Sequence, residues 1–139
     1  MRQAQQTLTL KTHGQGFYEF TPGARAFLHA TSLRLGQMTV FCRHTSASLV
    51  IQENADPSVV EDLKTFFSRI APEGGGLYVH DTEGPDDMPA HIRAALTQTS
   101  LTIPFAEGEL ALGNWQGLYL FEHRHAAHRR EVVLHAIGE

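Results

Sequence analysis

Residues 35–54, LGQMTVFCRHTSASLVIQEN, carry β-branched and apolar side chains on both sides of a short polar interruption at His44–Ser46. Branched side chains pack well on a pleated surface and lose freedom in a helix, so such a run suits extended chain. It reads as two strands around a tight connection. The pattern recurs elsewhere. "QAQQTLTLKT" alternates polar and apolar residues, placing Leu8 and Leu10 on one face of a strand. "LYVH" reads as a short strand, and "SLTIPFAEGELALG" as a hairpin turning at Glu107–Gly108. "QGLYLFEHRHAAHRREVVLHAIG" reads as two further strands joined near Ala126–Ala127. Helical stretches are fewer. "TPGARAFLHA" opens with Thr21 as an N-cap and Pro22 at the first helical position. The clearest helix has Asp56 as its cap and Pro57 as its start. Val59, Leu63, Phe66 or Phe67, and Ile70 then form one apolar stripe, and Pro72 with Gly74–Gly76 ends it. A third helix runs from about Met88 to Leu96. Strands outnumber helices, so the expected fold is α+β: a compact, mainly antiparallel two-layer β-sandwich with about three helices.

A chain of 139 residues is long enough to bury one core, and residues 1–139 are expected to form a single domain without a linker. Eleven Lys and Arg against fifteen Asp and Glu leave a net charge of −4, which excludes a nucleic-acid binder relying on bulk positive charge. No segment approaches the roughly 18–20 apolar residues of a membrane helix. The opening "MRQAQQTLTLKTHGQGF" lacks the apolar run of a signal peptide, so a cytoplasmic protein without membrane partners is expected. Cys42 is the single cysteine, which excludes an internal disulfide. Within "MTVFC" it reads as a small buried hydrophobe rather than a nucleophile.

Nine histidines are the outlier in composition. His44 falls where a strand breaks, beside the hydroxyls of Thr45, Ser46 and Ser48. A strand-end histidine among hydroxyls suits a metal ligand, a phosphate contact, or a turn held by local hydrogen bonds. A second concentration lies in "YVHDTEGPDDMPAHIRAAL" (78–96), where His80 and His91 flank Asp81, Glu83, Asp86 and Asp87. Asp87 and His91, four apart, share one helical face. Asp87 also suits an N-cap, whereas the imidazoles gain nothing from capping. Three neutral imidazoles and a water would make an open metal site, with a carboxylate fixing each tautomer. The spacing of His44, His80 and His91 matches no compact metal signature. In "FEHRHAAHRR", His123, His125 and His128 form a tidier local pattern, but they sit beside three arginines and read as a solvated hairpin tip. Glu122 and Arg124, on the opposite face, suit an inward acid and an anion clamp, or a cross-strand ion pair. Trp115 suits stacking on a flat ring, a core position or a subunit contact. Gly74–Gly76 lacks the strand-before, helix-after setting of a phosphate loop and reads as a connector.

Taken together, "HTSASLVIQENADP" (44–57), "HDTEGPDDMPAHI" (80–92), "SLTIPFAEGELALGNWQGLYL" (100–120), Glu122-x-Arg124 and the terminal "GE" resemble the YjbQ family, the secondary thiamine-phosphate synthase enzymes. The likeness covers roughly residues 40–139, with the first forty fitting more loosely. It implies an α+β sandwich that assembles as a homotrimer, with a polar metal pocket near or at subunit contacts. It also implies His44, His80 and His91 as ligands of a divalent ion, with Asn54, Asp87, Glu122 and Arg124 as pocket neighbours. Zinc suits the imidazoles, and magnesium the carboxylates beside a diphosphate. The implied reaction joins a pyrimidine diphosphate to a thiazole phosphate and releases pyrophosphate, so the expected partner is a small phosphorylated substrate. In that reading Asp87, Glu122 and Arg124 are catalytic, and Ser46, Asn54 and Trp115 contact substrate. Two other functions use the same pocket. One is a metal-dependent hydrolase of phosphate or acyl substrates, with Asp87 or Glu122 as base. The other is a non-catalytic trimeric module that binds a ligand or metal. The turn "HAAHRR" departs from the Gly-rich, less basic turn usual in the family, so no role carries over to His125 or His128.

Overall fold

The computed structural model describes residues 1–139. The elements run β1 (Arg2–Thr12), β2 (Gly16–Glu19), α1 (Thr21–Thr31), β3 (Leu35–Cys42), β4 (Ala47–Glu53), α2 (Pro57–Ile70), α3 (Asp87–Leu96), β5 (Ser100–Ala106), β6 (Glu109–Leu110), β7 (Gln116–Glu122) and β8 (His128–Gly138). A five-stranded sheet has the order β1-β8-β3-β5-β6, and a three-stranded sheet the order β2-β7-β4. Every ladder is antiparallel. The α+β class expected from the strand-rich pattern is therefore the one the chain adopts. No helix is long and apolar enough to cross a membrane.

One buried cluster draws on both sheets and on α1. Met38, Val40 and Cys42 of β3, Val132, Leu134 and Ala136 of β8, and Ile103 and Phe105 of β5 alternate inward from the larger sheet. Leu49 of β4 and Leu118 and Leu120 of β7 meet them from the smaller sheet, and Ala24, Phe27 and Leu28 join from α1. β7 is buried from Gly117 to Glu122 because its other face is covered too. There Phe121 stacks on Phe17 at 4.1 Å and meets the edge of Phe67 from α2 at 5.2 Å. Cys42 is 1% exposed, and burial pushes its thiol up to about 11, as a small hydrophobe requires.

The two long strand-rich stretches do not fold as hairpins. β3 belongs to the five-stranded sheet and β4 to the three-stranded one, and the same holds for β8 and β7. Residues 43–46 and 123–127 carry the chain from one sheet to the other. Neither segment contains a residue with positive φ, which the favoured two-residue hairpin turns require. At Glu107–Gly108, where φ is 55° and 82°, the expected hairpin does form.

The helices differ from expectation in detail. Thr21 does not cap α1: its hydroxyl accepts the Leu118 N–H at 2.8 Å and donates to Glu19 Oε2 at 2.8 Å. Asp56 caps α2, accepting the Ser58 N–H at 2.9 Å. The apolar stripe of α2 is only half covered: Val59, Leu63 and Phe67 are half-buried, and Phe66 and Ile70 lie open to solvent. "LYVH" is not a strand. Residues 71–86 form an irregular loop that finds no sheet edge, with Leu77 and Val79 exposed.

β3 and β8 approach most closely where Gly36 faces Gly138. A Cβ at Gly36 would stand 2.1 Å from the Ile137 carbonyl oxygen and 2.8 Å from Gly138 Cα, both backbone atoms that cannot swing aside. Gly36→Ala is expected to destabilise the protein by about 3 kcal/mol, at the upper end of overpacking costs. Gly75→Ala, whose Cβ would meet nothing, should stay within about 0.5 kcal/mol. Chemical denaturation of the two variants checks both.

Candidate functional site

The site is assembled at the end of the sandwich where both sheet-to-sheet crossings lie. The loop 71–86 reaches α3 through a bend at Gly84, whose φ of 103° suits glycine. Asp86 occupies the N-cap position but makes no cap bond. Its carboxylate instead accepts Arg124 Nε at 3.1 Å and the His125 N–H at 2.9 Å. Asp87, one residue into the helix and 3% exposed, is likewise engaged elsewhere. Arg124 Nη1 donates to its Oδ1 at 2.8 Å. Its Oδ2 faces His80 Nε2 at 2.7 Å and His91 Nε2 at 3.2 Å. Burial raises the Asp87 pKa, but the bond to His80 and the charge of Arg124 outweigh it and hold the carboxyl below its usual range.

One hydrogen bond decides what this cluster can do. His91 Nδ1 lies 3.1 Å from the Thr45 carbonyl oxygen. A carbonyl only accepts, so Nδ1 carries the proton and the neutral ring leaves a lone pair on Nε2. That Nε2 lies 3.2 Å from Asp87 Oδ2, another acceptor. Two acceptors this close are brought into favourable contact by a proton or a cation shared between them. The ligand atoms of His80, Asp87 and His91 all lie within 4.8 Å of one another. Around a tetrahedral first-row ion with bonds of about 2.0–2.2 Å, neighbouring ligand atoms stand roughly 3.4 Å apart. The 2.7 Å and 3.2 Å separations need only a slight opening to accept one.

His44 is not brought to this cluster. Its Nε2 accepts the Glu131 N–H at 2.7 Å, so within one chain the third donor beside His80 and His91 is Asp87. The backbone explains it: Thr45 turns its carbonyl toward His91 while His44 turns its ring toward β8. Glu122 is not a base open to substrate. It is fully buried and accepts Arg130 Nε at 2.8 Å, Arg130 Nη2 at 2.5 Å and the Thr12 hydroxyl at 2.6 Å. Burial pushes its pKa up, yet these bonds and the arginine charge hold it below the usual carboxylate range. Ser46 accepts Arg130 Nη2 at 3.0 Å. Arg124, expected as an anion clamp, is committed to Asp86, Asp87 and the Glu83 carbonyl. Asn54 and Trp115 pair at the far end of β4 and β7. A seven-residue strand spans roughly 20 Å, so within one chain they stand that far from Glu122.

The solvated tip expected at His123 is also overturned. His123 is fully buried, with Nε2 2.8 Å from the Ser48 hydroxyl, which the Thr97 hydroxyl approaches at 2.5 Å. His123 Nδ1 and Arg93 Nε are buried without a partner. Sequence reasoning missed Ser48, Arg93 and Arg130 as members of the buried polar network. Arg130 was the detectable one, since it precedes Val132, Leu134 and Ala136 on the inward face of β8.

The profile of the family described as "UPF0047 protein YjbQ-like" matches residues 6–139. The UPF0047 protein sll1880 of Synechocystis is 52% identical over 138 residues, covering 99% of this chain and 94% of that protein. YjbQ of Escherichia coli O157:H7 is 39% identical over 136 residues, covering 97% and 98%. A solved YjbQ/UPF0047 structure from Clostridium acetobutylicum superposes with a TM-score of 0.87 at 34% identity, covering 94% of this chain and 98% of that one. A YjbQ-like protein of unknown function from Sulfolobus solfataricus has the same fold, with a TM-score of 0.87 at 18% identity and coverage of 99% and 100%. These matches correct the expectation of a thiamine-phosphate synthase. They extend to membership of UPF0047 and carry no synthase or transferase activity with them.

Burial, with the charge of Arg93 nearby, depresses His123 from 6.5 to about 3. Above pH 6.5 neither the folded nor the unfolded chain binds that proton, and stability is complete. As pH falls through 6.5 the unfolded chain binds it and the folded chain does not. Stability therefore declines by about 1.4 kcal/mol per pH unit until the folded pKa is reached. His44, lowered by burial and Arg130, adds to the same trend. Urea unfolding between pH 6.5 and 5, above the carboxylate range, should show this slope, and His123→Gln should flatten it by about one proton's worth.

Proposed function

The chain belongs to the YjbQ-like UPF0047 family, and on that premise we propose that it is a divalent-metal-binding protein whose ion is held by His80, Asp87 and His91. The observation that carries this reading is the His91 ring. The Thr45 carbonyl takes its Nδ1 proton, and its Nε2 stands 3.2 Å from a carboxylate oxygen that a second imidazole also faces. Two imidazoles and one carboxylate favour zinc or another first-row divalent ion over magnesium, which prefers an all-oxygen shell. Arg124 orients the ligand set: by holding Asp87 Oδ1 it leaves Oδ2 alone to face the metal position. A four-coordinate ion with three protein ligands keeps one position for water or for an oxygen of a small ligand, and supplies Lewis-acid polarisation there. That position opens beside a cavity of about 260 Å³ lined by Gly74–Gly76, Tyr78, His80 and Met88. A homotrimer is part of the same proposal, supported by Phe66 and Ile70 of α2, two large apolar side chains left exposed within one chain.

Calorimetric titration of chelator-treated protein with zinc tests the reading. One ion per chain is expected, with thermal unfolding stabilised by about 2.7 kcal/mol at a free concentration one hundred times the dissociation constant. His91→Ala and Asp87→Asn should abolish tight binding. Arg124→Ala, which removes only the orienting bond, should weaken it by roughly 10–100-fold. Unchanged stoichiometry and affinity in His91→Ala would sink the assignment.

A further inference from the structure

We propose that the open pocket at the end of β3, lined by Arg43, His44, Thr45, Ser46, Thr99 and Arg130, is a binding site for a tetrahedral oxyanion of the phosphate or sulfate type. The site is separate from the His80–Asp87–His91 cluster and independent of any metal there. The cavity measures about 570 Å³ and has no carboxylate on its wall.

Its donors are fixed by bonds already made. The Glu131 N–H occupies His44 Nε2, so the neutral His44 ring carries its proton on Nδ1 and is a donor with no protein partner. Arg130 is 4% exposed; its Nε and Nη2 are committed to Glu122 and Ser46. Its Nη1 makes no bond within the protein and is not among the sealed-off polar atoms, so it stays accessible from the cavity. Ser46 Oγ accepts from Arg130, and its own proton is left to donate. The Thr45 and Thr99 hydroxyls have no partner within the chain. Arg43 is tied only by a loose 3.7 Å contact with Glu131 across a solvent-exposed gap. Two acids are near, and both are accounted for: Glu122 is fully buried behind Arg130, and Glu131 lies on the flank of Arg43.

The wall thus presents two guanidinium groups, one imidazole N–H and three hydroxyls from the β3–β4 crossing, β8 and the start of β5. Guanidinium groups with hydroxyls are the donor set that recognises phosphate-type oxygens. A carboxylate offers two oxygens in one plane. The donors here come from several directions and outnumber what a planar ligand can accept, whereas a tetrahedral ion presents three or four oxygens outward. This also accounts for a histidine and hydroxyl group at the strand break that the metal cluster leaves unused.

The test is a titration of the ¹⁵N-labelled full-length protein, freed of metal by chelation, with inorganic phosphate at constant ionic strength. Saturable shifts are expected at the amides of 43–46 and 99, with acetate at the same ionic strength producing none. Substituting Arg130 would strand the buried Glu122, so the variants are Arg43→Gln and Thr99→Val, which lie on the exposed wall. The double variant should weaken phosphate binding by about tenfold or more, while Arg25→Gln on exposed α1 should leave it unchanged. A second titration with glycerol phosphate distinguishes the source: tighter binding than inorganic phosphate assigns an ester, and weaker binding assigns the free ion. The proposal is overturned by an absence of saturable shifts, by equal shifts with acetate, by shifts centred on residues 80–91, or by an unaltered affinity in the double variant.

Discussion

The buried ion pair between Glu122 and Arg130 holds the two sheets together at one end. Glu122 ends β7 in the three-stranded sheet, and Arg130 lies on β8 in the five-stranded one. They occupy the inward positions that, farther along the same strands, hold Leu118, Leu120, Val132 and Leu134. Where the hydrophobic core stops, charge takes over the gap. The pair is closed by bonds on all sides: Thr12 of β1 donates to Glu122, the N–H groups of His123 and Arg124 donate to its other oxygen, and Ser46 accepts from Arg130. Such saturation is what makes a buried pair tolerable, since loss of one partner leaves an uncompensated charge at a cost of about 3–5 kcal/mol.

Both candidate ligand sites flank this pair. The Glu122 carboxylate fixes the backbone of Arg124, and Arg124 in turn holds Asp86, Asp87 and the Glu83 carbonyl. The irregular loop 71–86 is thereby fastened to the sandwich by side chains, helped by Arg93 on the Ala71 carbonyl and by His125 on Glu73. On the other side, Arg130 lines the cavity beside His44. Thr45 stands between the two, with its carbonyl toward His91 and its residue on the wall of the oxyanion cavity.

Much of the fold was legible from local pattern. Alternation in 128–138, the Asp56-Pro57 helix start and the Glu107-Gly108 turn each record a local backbone preference. What local pattern did not record is which sheet a strand joins. The segments at 43–46 and 123–127 look like hairpin turns in hydropathy alone, and only their lack of a positive-φ residue separates them from the true turn at 107–108. That single misreading moved His123 to a solvated tip when it is buried. His80, Asp87 and His91 were each visible because acids and imidazoles are dense in 78–96. Their convergence depends on Arg124, about 37 residues away in sequence from Asp87, and such tertiary bonds leave no periodic trace. Within one chain His44 does not join them, because in the crossing at 43–46 its ring turns to the Glu131 N–H while the Thr45 carbonyl turns to His91.

The pairing of β1 with β8, in register from Arg2↔Gly138 to Thr12↔His128, has a consequence for how the molecule comes into being. Of the eight strands, β1 is made before the other seven and its neighbour β8 after them. Through most of translation its backbone amides and carbonyls stay unmatched, an open ribbon edge of the kind that recruits foreign strands. Such wide sequence separation also raises contact order and slows closure of the sheet. The polar face of β1, with Gln3, Gln5, Thr7, Thr9 and Lys11 between its apolar positions, gives that waiting strand a hydrophilic side during biosynthesis.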